Sequence, residues 1–482
     1  MKRTYYKIAL IAVLLVVTST ACKKSFLETI PKGQLIARTS ADYSGLLSNL
    51  DLININTTNA QVLMGDEVAA VDPYFTSADL KTQRCFRWDP VIYEPADDAG
   101  ETTIPLKNIY LFNKIINEVP NATGGTEAVN LSIAAEARAG RAWTYFLLIN
   151  YYGKPYSVAT AANDPGFPII EAADVTVTKF DRASVQAVYD FIIKDLVTAI
   201  PNLPVQITNR TRMSKAAAEG ILGKVYTYMG RFKDALPMLN AAITDMANQT
   251  TPVRLYDYNV EFATGGVFLP INATSGPTFI LVVNNYENVF AKQFVNGWAS
   301  SYDEIVITPQ TAALFGSSDL RNNFYANSTY STKLAYPVPG VLRKQGYGQI
   351  SFGVLVPDLY LLSAECKCRN NDLAGAKADV EALRVKRMPA ADAPVPAATA
   401  GVQLSLLKFI LDERIREYAV QGSRWFDMRR LSVDPLFPAA TYTHTLYSAT
   451  GATTVYTLKP ERLTLRLPQK LIDQNPNMEN NP

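Results

Sequence analysis

The stretch SKAAAEGILGKVYTYMGRFKDALPMLNAAI, Ser214 to Ile243, carries the strongest periodic signal in the chain. Leu222, Gly223, Tyr226, Gly230, Phe232, Ala235 and Ala242 recur at helical spacings on either side of a break at Gly230, which predicts two antiparallel helices joined by a tight turn. Each position has a mechanical role. Gly223 and Ala235 let the two helix axes approach, Tyr226 and Phe232 fill the groove between them, and Gly230 supplies the backbone freedom the reversal needs.

This spacing is that of a tetratricopeptide repeat. A second copy reads in PDLYLLSAECKCRNNDLAGAKADVEALRVKRM, Pro357 to Met388, where Ala364, Asn371, Leu373 and Ala376 keep the spacing and Pro357 starts the helix. Two further pairs are expected. IPLKNIYLFNKIINEV with SIAAEARAGRAWTYFLLINYYG forms one, and RASVQAVYDFIIKDLVTAI is assigned to the helix that opens at Ser214. The fold class is therefore mainly α, a tetratricopeptide-like helical repeat scaffold with long irregular loop insertions and short β-hairpins. Repeat pairs fall at about 104–152, 182–243 and 357–431. The Tyr and Leu stripes on these helices read as repeat core.

Between the helices, 45–100 and 252–350 lack a helical period. The first is rich in Asp, Asn, Pro and aromatics; the second sets Tyr256, Tyr258, Phe262, Phe268, Trp298 and Tyr302 among Gly, Asn, Ser and Pro. Insertions this long are usually functional, and rings amid short polar side chains suit a binding face. Trp88, Tyr93, Trp298 and Tyr302 are the candidate ligand contacts, since both Trp lie outside the repeats and each has a Tyr four or five residues away.

At the other end of the chain, Lys2, Arg3 and Lys7 precede ten apolar residues, Ile8 to Val17, and small residues then lead to Cys22. The run is too short to span a bilayer and has the shape of a secretory leader, 1–21. A Cys directly after the small residues resembles a lipobox, although Ser19 stands where a Leu is more usual. Cys22 is thus the expected lipidation site, and 22–482 the mature domain, membrane-attached through lipid alone. Three of the 46 basic residues belong to the leader, leaving 43 against 44 acidic, so nothing favours nucleic acid or another polyanion.

Scarce Cys and His exclude much chemistry. After Cys22 only Cys85, Cys366 and Cys368 remain, and a C-x-C pair on a helix points to opposite sides, badly placed for a disulfide. With His444 the only histidine, His-rich zinc sites cannot be assembled; in TYTHTLYS it reads as a surface residue. In DERIREYAVQGSRWFDMRRL the spacing predicts an Asp412–Arg416 pair, with Arg414 or Arg424 screening Glu413 and Glu417; the block reads as a structural ion network. Glu94, Asp97, Asp98 and Glu101 could supply a glycosidase pair or a calcium site, but such clusters are usually solvated. No catalytic residue, cofactor or metal is expected.

Seven blocks then carry a resemblance over almost the whole mature chain. They are CKKSFLETIPKG at 22–33, EARAGRAWTYFLLINYYGKPY at 136–156, the repeat at 214–243, ITPQTAALFGSSDLR at 307–321, PDLYLLSAECKCRNNDLAGAKADVEALRVKR at 357–387, ILDERIREYAVQGSRWFDMRRL at 410–431 and LPQKLIDQNPNMENNP at 467–482. Their order and spacing resemble the SusD/RagB family, outer-membrane lipoproteins of the Bacteroidota. Gln421 replaces a usual Glu, and the common Gly-Tyr ending is missing. The resemblance implies a non-catalytic, lipid-anchored protein facing the cell surface. It would bind glycan, or in some members peptide, and deliver it to a SusC-like TonB-dependent outer-membrane barrel, with the repeat face toward the barrel and the loops toward ligand. A helical-repeat envelope scaffold and a glycoside hydrolase stay open as readings from the residues alone.

Overall fold

Among the described residues, the helices of nine or more residues each bury an apolar stripe. They are α1 (Gly100–Glu118), α2 (Glu127–Tyr152), α3 (Val185–Ala199), α4 (Lys215–Tyr228), α5 (Phe232–Met246), α6 (Val356–Arg369), α7 (Leu373–Arg384), α8 (Gln403–Tyr418) and α9 (Ser423–Leu431). Thr126, Ser184 and Ser214 each accept a backbone N–H of the first turn of α2, α3 and α4, satisfying donors that a helix start leaves unpaired. The structure, a computed structural model, describes residues 37–55, 59–247, 249–437 and 440–482. Cys22 and the leader lie outside the described residues.

In the repeat that opened the reading, α4 packs against α5 and α6 stacks on α5. A Cβ placed on Gly223 would stand 2.6 Å from Leu239 Cγ, so the missing side chain sets the helix approach. Gly230 turns with φ +72°, and at the same place in the second copy Asn371 turns with φ +67°; asparagine tolerates the left-handed region better than most residues. One expected pairing changes. The α3 helix lies chiefly along α2, with a lesser contact to α4, because buried Arg141 grips Asp195 through two 2.8 Å hydrogen bonds and Tyr145 packs edge-on against Phe191.

The segment 45–100 is less a loop than a strut. It contains β1 (Val68–Val71), wholly buried, and the helix Leu80–Phe86. With β2 (Ile305–Ile307), β3 (Thr443–Tyr447) and β4 (Thr453–Thr457) it forms a four-stranded sheet in the order β4-β3-β1-β2. Strand β1 runs antiparallel to β2, with Val68 opposite Ile307, and parallel to β3, with Ala70 opposite Leu446. His444 therefore is not a surface residue. The alternation of TYTHTLY makes a strand whose inward position is His444. Its ring stacks between Phe86 and Trp88 at 4.4 and 3.7 Å, with its nitrogens 2.6 and 2.7 Å from the carbonyls of Phe86 and Gly65. Burial pulls its pKa down, to about 4, against those two carbonyls.

Cys85, Cys366 and Cys368 are buried free thiols. Cys366 meets Thr227 of α4 while Cys368 donates to the Gln403 carbonyl at the start of α8, so the two do point apart.

Candidate functional site

Helix α8 turns two carboxylates, Glu413 and Glu417, into the protein one helical turn apart. Glu413 accepts from Arg321, Arg384 and Arg416 at 2.7, 2.8 and 2.8 Å. Glu417 accepts from Arg321 and Arg387 at 2.9 and 2.7 Å. Arg321 also holds Asp319, and Arg387 holds Glu287, at 2.8 and 2.7 Å. Burial would raise the Glu413 carboxyl, but Arg321, Arg416 and Arg384 together outweigh it and hold it at about 2.

The ion network is thus structural, with partners other than those helical spacing suggested. Arg416 turns to Glu413 rather than Asp412. Arg414 serves Asp358 and Asp427, and Arg424 serves Asp66; the carboxylates of α8 are screened instead by Arg321, Arg384 and Arg387. The last three come from other elements, so no local spacing could reveal them.

Beside this network the insertion 252–350 folds over the end of α8 and leaves a cleft of about 170 Å³. The short strand Arg343–Lys344 forms one wall and the segment 277–280 another. Arg343, fully buried, ties the loops together by donating to the carbonyls of Ser300, Thr274 and Ser328 at 2.8, 2.9 and 3.3 Å. Gly346, at φ +140°, gives the turn that brings Tyr347 to the cleft. There Tyr347 stacks on Phe279 with centroids 4.1 Å apart and planes within 6°, and Phe279 remains 53% exposed.

Deeper in the cleft the polar groups are incompletely matched. Lys344 is 9% exposed, and among the described residues the one hydrogen bond of its ammonium is to the Tyr325 hydroxyl at 3.5 Å. Burial lowers its pKa to about 8, partly countered by Glu417. Gln345 Oε1 and the Tyr418 hydroxyl, both buried atoms on cleft-lining residues, have no hydrogen-bond partner among the described residues. An aromatic mouth over a few convergent polar groups is the form of a small-ligand or glycan subsite.

The aromatic residues picked from the sequence are not gathered here. Trp88, 3% exposed, stacks on His444 and donates to the Met64 carbonyl at 3.1 Å. Tyr93 is buried with its hydroxyl on Glu101. Trp298, also 3% exposed, donates to Glu304 at 2.7 Å. These three rings are core: their faces are already covered by protein, and composition alone could not show that. Tyr302 is different, exposed and edge-on to Trp298 at 6.2 Å, on a turn whose Ala299 lines the cleft. Tyr256, Tyr258, Phe262 and Phe268 pack as a satellite core with Phe324, and Tyr256, Tyr258, Phe268 and Phe324 also line the cleft.

The acidic cluster disperses likewise. Glu94 pairs with Arg84, Asp98 with Lys470, Asp97 accepts the Glu94 N–H, and Glu101 is buried. Among the described residues no group of three or more His, Cys, Asp or Glu could hold a metal ion, and no helix is long and apolar enough to cross a membrane. The residues that the sequence reading passed over are Phe279, Lys344, Gln345, Tyr347 and Tyr418. Their one visible signal is RKQGYG, 343–348, two basic side chains and a ring set between flexible glycines inside a long insertion.

Comparison with known proteins places this geometry. A family model described as "Starch-binding associating with outer membrane" matches residues 57–227, and the SusD family model matches 356–482. The chain belongs to the SusD/RagB family. A SusD-like protein of Bacteroides ovatus is 32% identical over 123 residues, 24% of this chain and 20% of that one. The SusD-like protein P2 of Formosa agariphila is 23% identical over 352 residues, 63% of this chain and 65% of its own. The chain thus spans about a fifth and about two thirds of these relatives' lengths. A SusD superfamily protein of Bacteroides thetaiotaomicron shares the fold with TM-score 0.69 at 17% identity, covering 92% of this chain and 100% of its own. A laminarin-binding SusD-like protein does so with TM-score 0.62 at 18% identity, covering 93% and 100%. The mainly helical SusD-like fold with short β-hairpins follows. The description of the first model associates its family with the outer membrane.

Proposed function

We propose that this SusD-like chain binds glycans at the cleft between 277–280 and 343–349 and presents them to a SusC-like TonB-dependent barrel, tethered to the outer membrane by lipid on Cys22 and facing the cell surface. The observation that carries the glycan reading is the Phe279–Tyr347 pair, a solvent-facing ring platform directly above a polar cleft. Pyranose rings carry apolar C–H faces that stack on such rings, while the hydroxyls seek donors and acceptors. The family model's starch-binding description and the laminarin-binding neighbour agree with that chemistry.

Phe279→Ala tests it. The ring is half-exposed, so its loss should leave melting nearly unchanged and weaken glycan binding about fivefold or more, the equivalent of about 1 kcal/mol. Calorimetric titration with laminarin, starch and acidic oligosaccharides reads this; equal binding by variant and wild type, or no glycan bound at all, would refute it. For the tether, Cys22→Ala should move the chain from the outer-membrane fraction to the soluble one in cells lacking the barrel. For the partner, co-purification of a barrel with the lipidated chain is the expected result.

A further inference from the structure

Resting on that glycan reading, we propose that the cleft selects sugars bearing an anionic substituent, a carboxylate or a sulfate, and that Lys344 is the residue that reads it.

The inference begins with the charges beneath the cleft. Arg321, Arg384, Arg387 and Arg416 form direct ion pairs with Asp319, Glu287, Glu413 and Glu417. Four guanidiniums thus meet four carboxylates, and each of these acids is engaged at 2.9 Å or closer. Asp412, near Arg416 on the same helix, makes no ion pair with the described residues. Among the described residues that line the cleft, Lys344 is the cation without an ion pair. It lines the cleft, and Tyr325 and Phe324 present ring faces to its ammonium at 4.7 and 5.7 Å, which stabilise a cation without neutralising it.

A buried ammonium whose hydrogen bonding stops at a hydroxyl 3.5 Å away is poorly compensated as the protein stands. The buried Lys292 offers a contrast, since it donates to the Leu52 carbonyl away from this cleft. Gln345 Oε1 and the Tyr418 hydroxyl, on two other cleft-lining residues, are buried atoms without a hydrogen-bond partner among the described residues. An anionic group on a bound sugar supplies the charge that Lys344 lacks. The cleft volume of about 170 Å³ suits one residue of a glycan, with the next running out across Phe279.

The experiment is a matched panel. Wild-type protein is titrated with neutral laminari-oligosaccharides, uronate oligosaccharides and sulfated galactan oligosaccharides of equal length, at low and high salt. Expected is at least tenfold tighter binding of one or both anionic classes, an advantage that shrinks as salt rises; which class wins identifies carboxylate or sulfate. Lys344→Met should abolish the preference and melt no lower than wild type. Lys344→Arg should keep the preference, as should Lys386→Met, which removes a charge paired to Asp257 outside the cleft. If neutral glycans bind as well as anionic ones, or Lys344→Met keeps the preference, the inference fails while the glycan reading stands. If no glycan binds, or an acidic peptide alone does, both fail.

Discussion

Gly223→Ala adds a single methyl group at the closest approach of α4 and α5, and its outcome can be worked from the structure. The new Cβ would lie 2.6 and 2.7 Å from Cγ and Cδ2 of Leu239 and 3.2 Å from the Leu239 backbone nitrogen. Leu239 is fully buried, so its side chain has no free volume to enter, and the backbone contact cannot rotate away. The helices must separate, and such overpacking costs about 1–3 kcal/mol. Against it stands the better helix propensity of Ala, about 1 kcal/mol. The net is a loss of up to about 2 kcal/mol by those same terms. Gly45, inside the helix Ser40–Leu47, provides the matched control. A Cβ there meets nothing within 4 Å, so Gly45→Ala should gain about 0.5–1 kcal/mol from propensity alone. Urea titration followed by far-UV circular dichroism reads both changes as midpoint shifts at constant slope. Gly223→Ala should fall below Gly45→Ala; a Gly223→Ala protein that gains as much stability as Gly45→Ala would mean the two helices do not meet as described.

Three other outcomes follow from the buried polar groups. Glu413→Gln leaves Arg321, Arg384 and Arg416 short of a negative charge and should cost about 3 kcal/mol or more; since the carboxyl is held at about 2, its contribution in wild type is complete above about pH 4.5 and lost as pH falls toward 2, a decline that denaturation curves of the variant should lack. Glu67 behaves in the opposite sense: burial and then Asp66 raise its pKa to about 8, so it erodes stability as pH climbs from about 4.5 through 8, and Glu67→Gln, which keeps an acceptor for the Val420 N–H, should flatten that slope in melting curves between pH 5 and 9. Trp298→Ala should lower stability by about 3–5 kcal/mol, as expected for a large core residue, and the same Trp298 variant made in a stabilised background should still bind glycan.

What the sequence disclosed depended on the range of the interaction. Gly223, Gly230 and Ala235 were readable because a helix hairpin is built from neighbours, and the periodicity that reveals it is the packing itself. The same logic found the Cys366–Cys368 divergence and the helix start at Pro357. His444 and Trp88 were misread because what buries them is distant: β3 reaches β1 from the far end of the chain, and that pairing places the imidazole against Trp88. Arg321 and Arg387 escaped notice as partners of α8 for the same reason. In the cleft, Lys344 and Phe279 lie in different loops whose meeting depends on Arg343 and its carbonyl contacts, none of which has a sequence period.

The sheet also sets an order of events. Its central strand, Val68–Val71, acquires one neighbour only when Ile305–Ile307 has been made and the other only when Thr443–Tyr447 has followed. A chain emerging from its N-terminus therefore carries an unfinished core until nearly its last forty residues are out, even though the helix hairpins between can form as they appear. Closure over so long a loop is slow. A chain that stays open for that time remains threadable until Thr443–Tyr447 has paired with Val68–Val71.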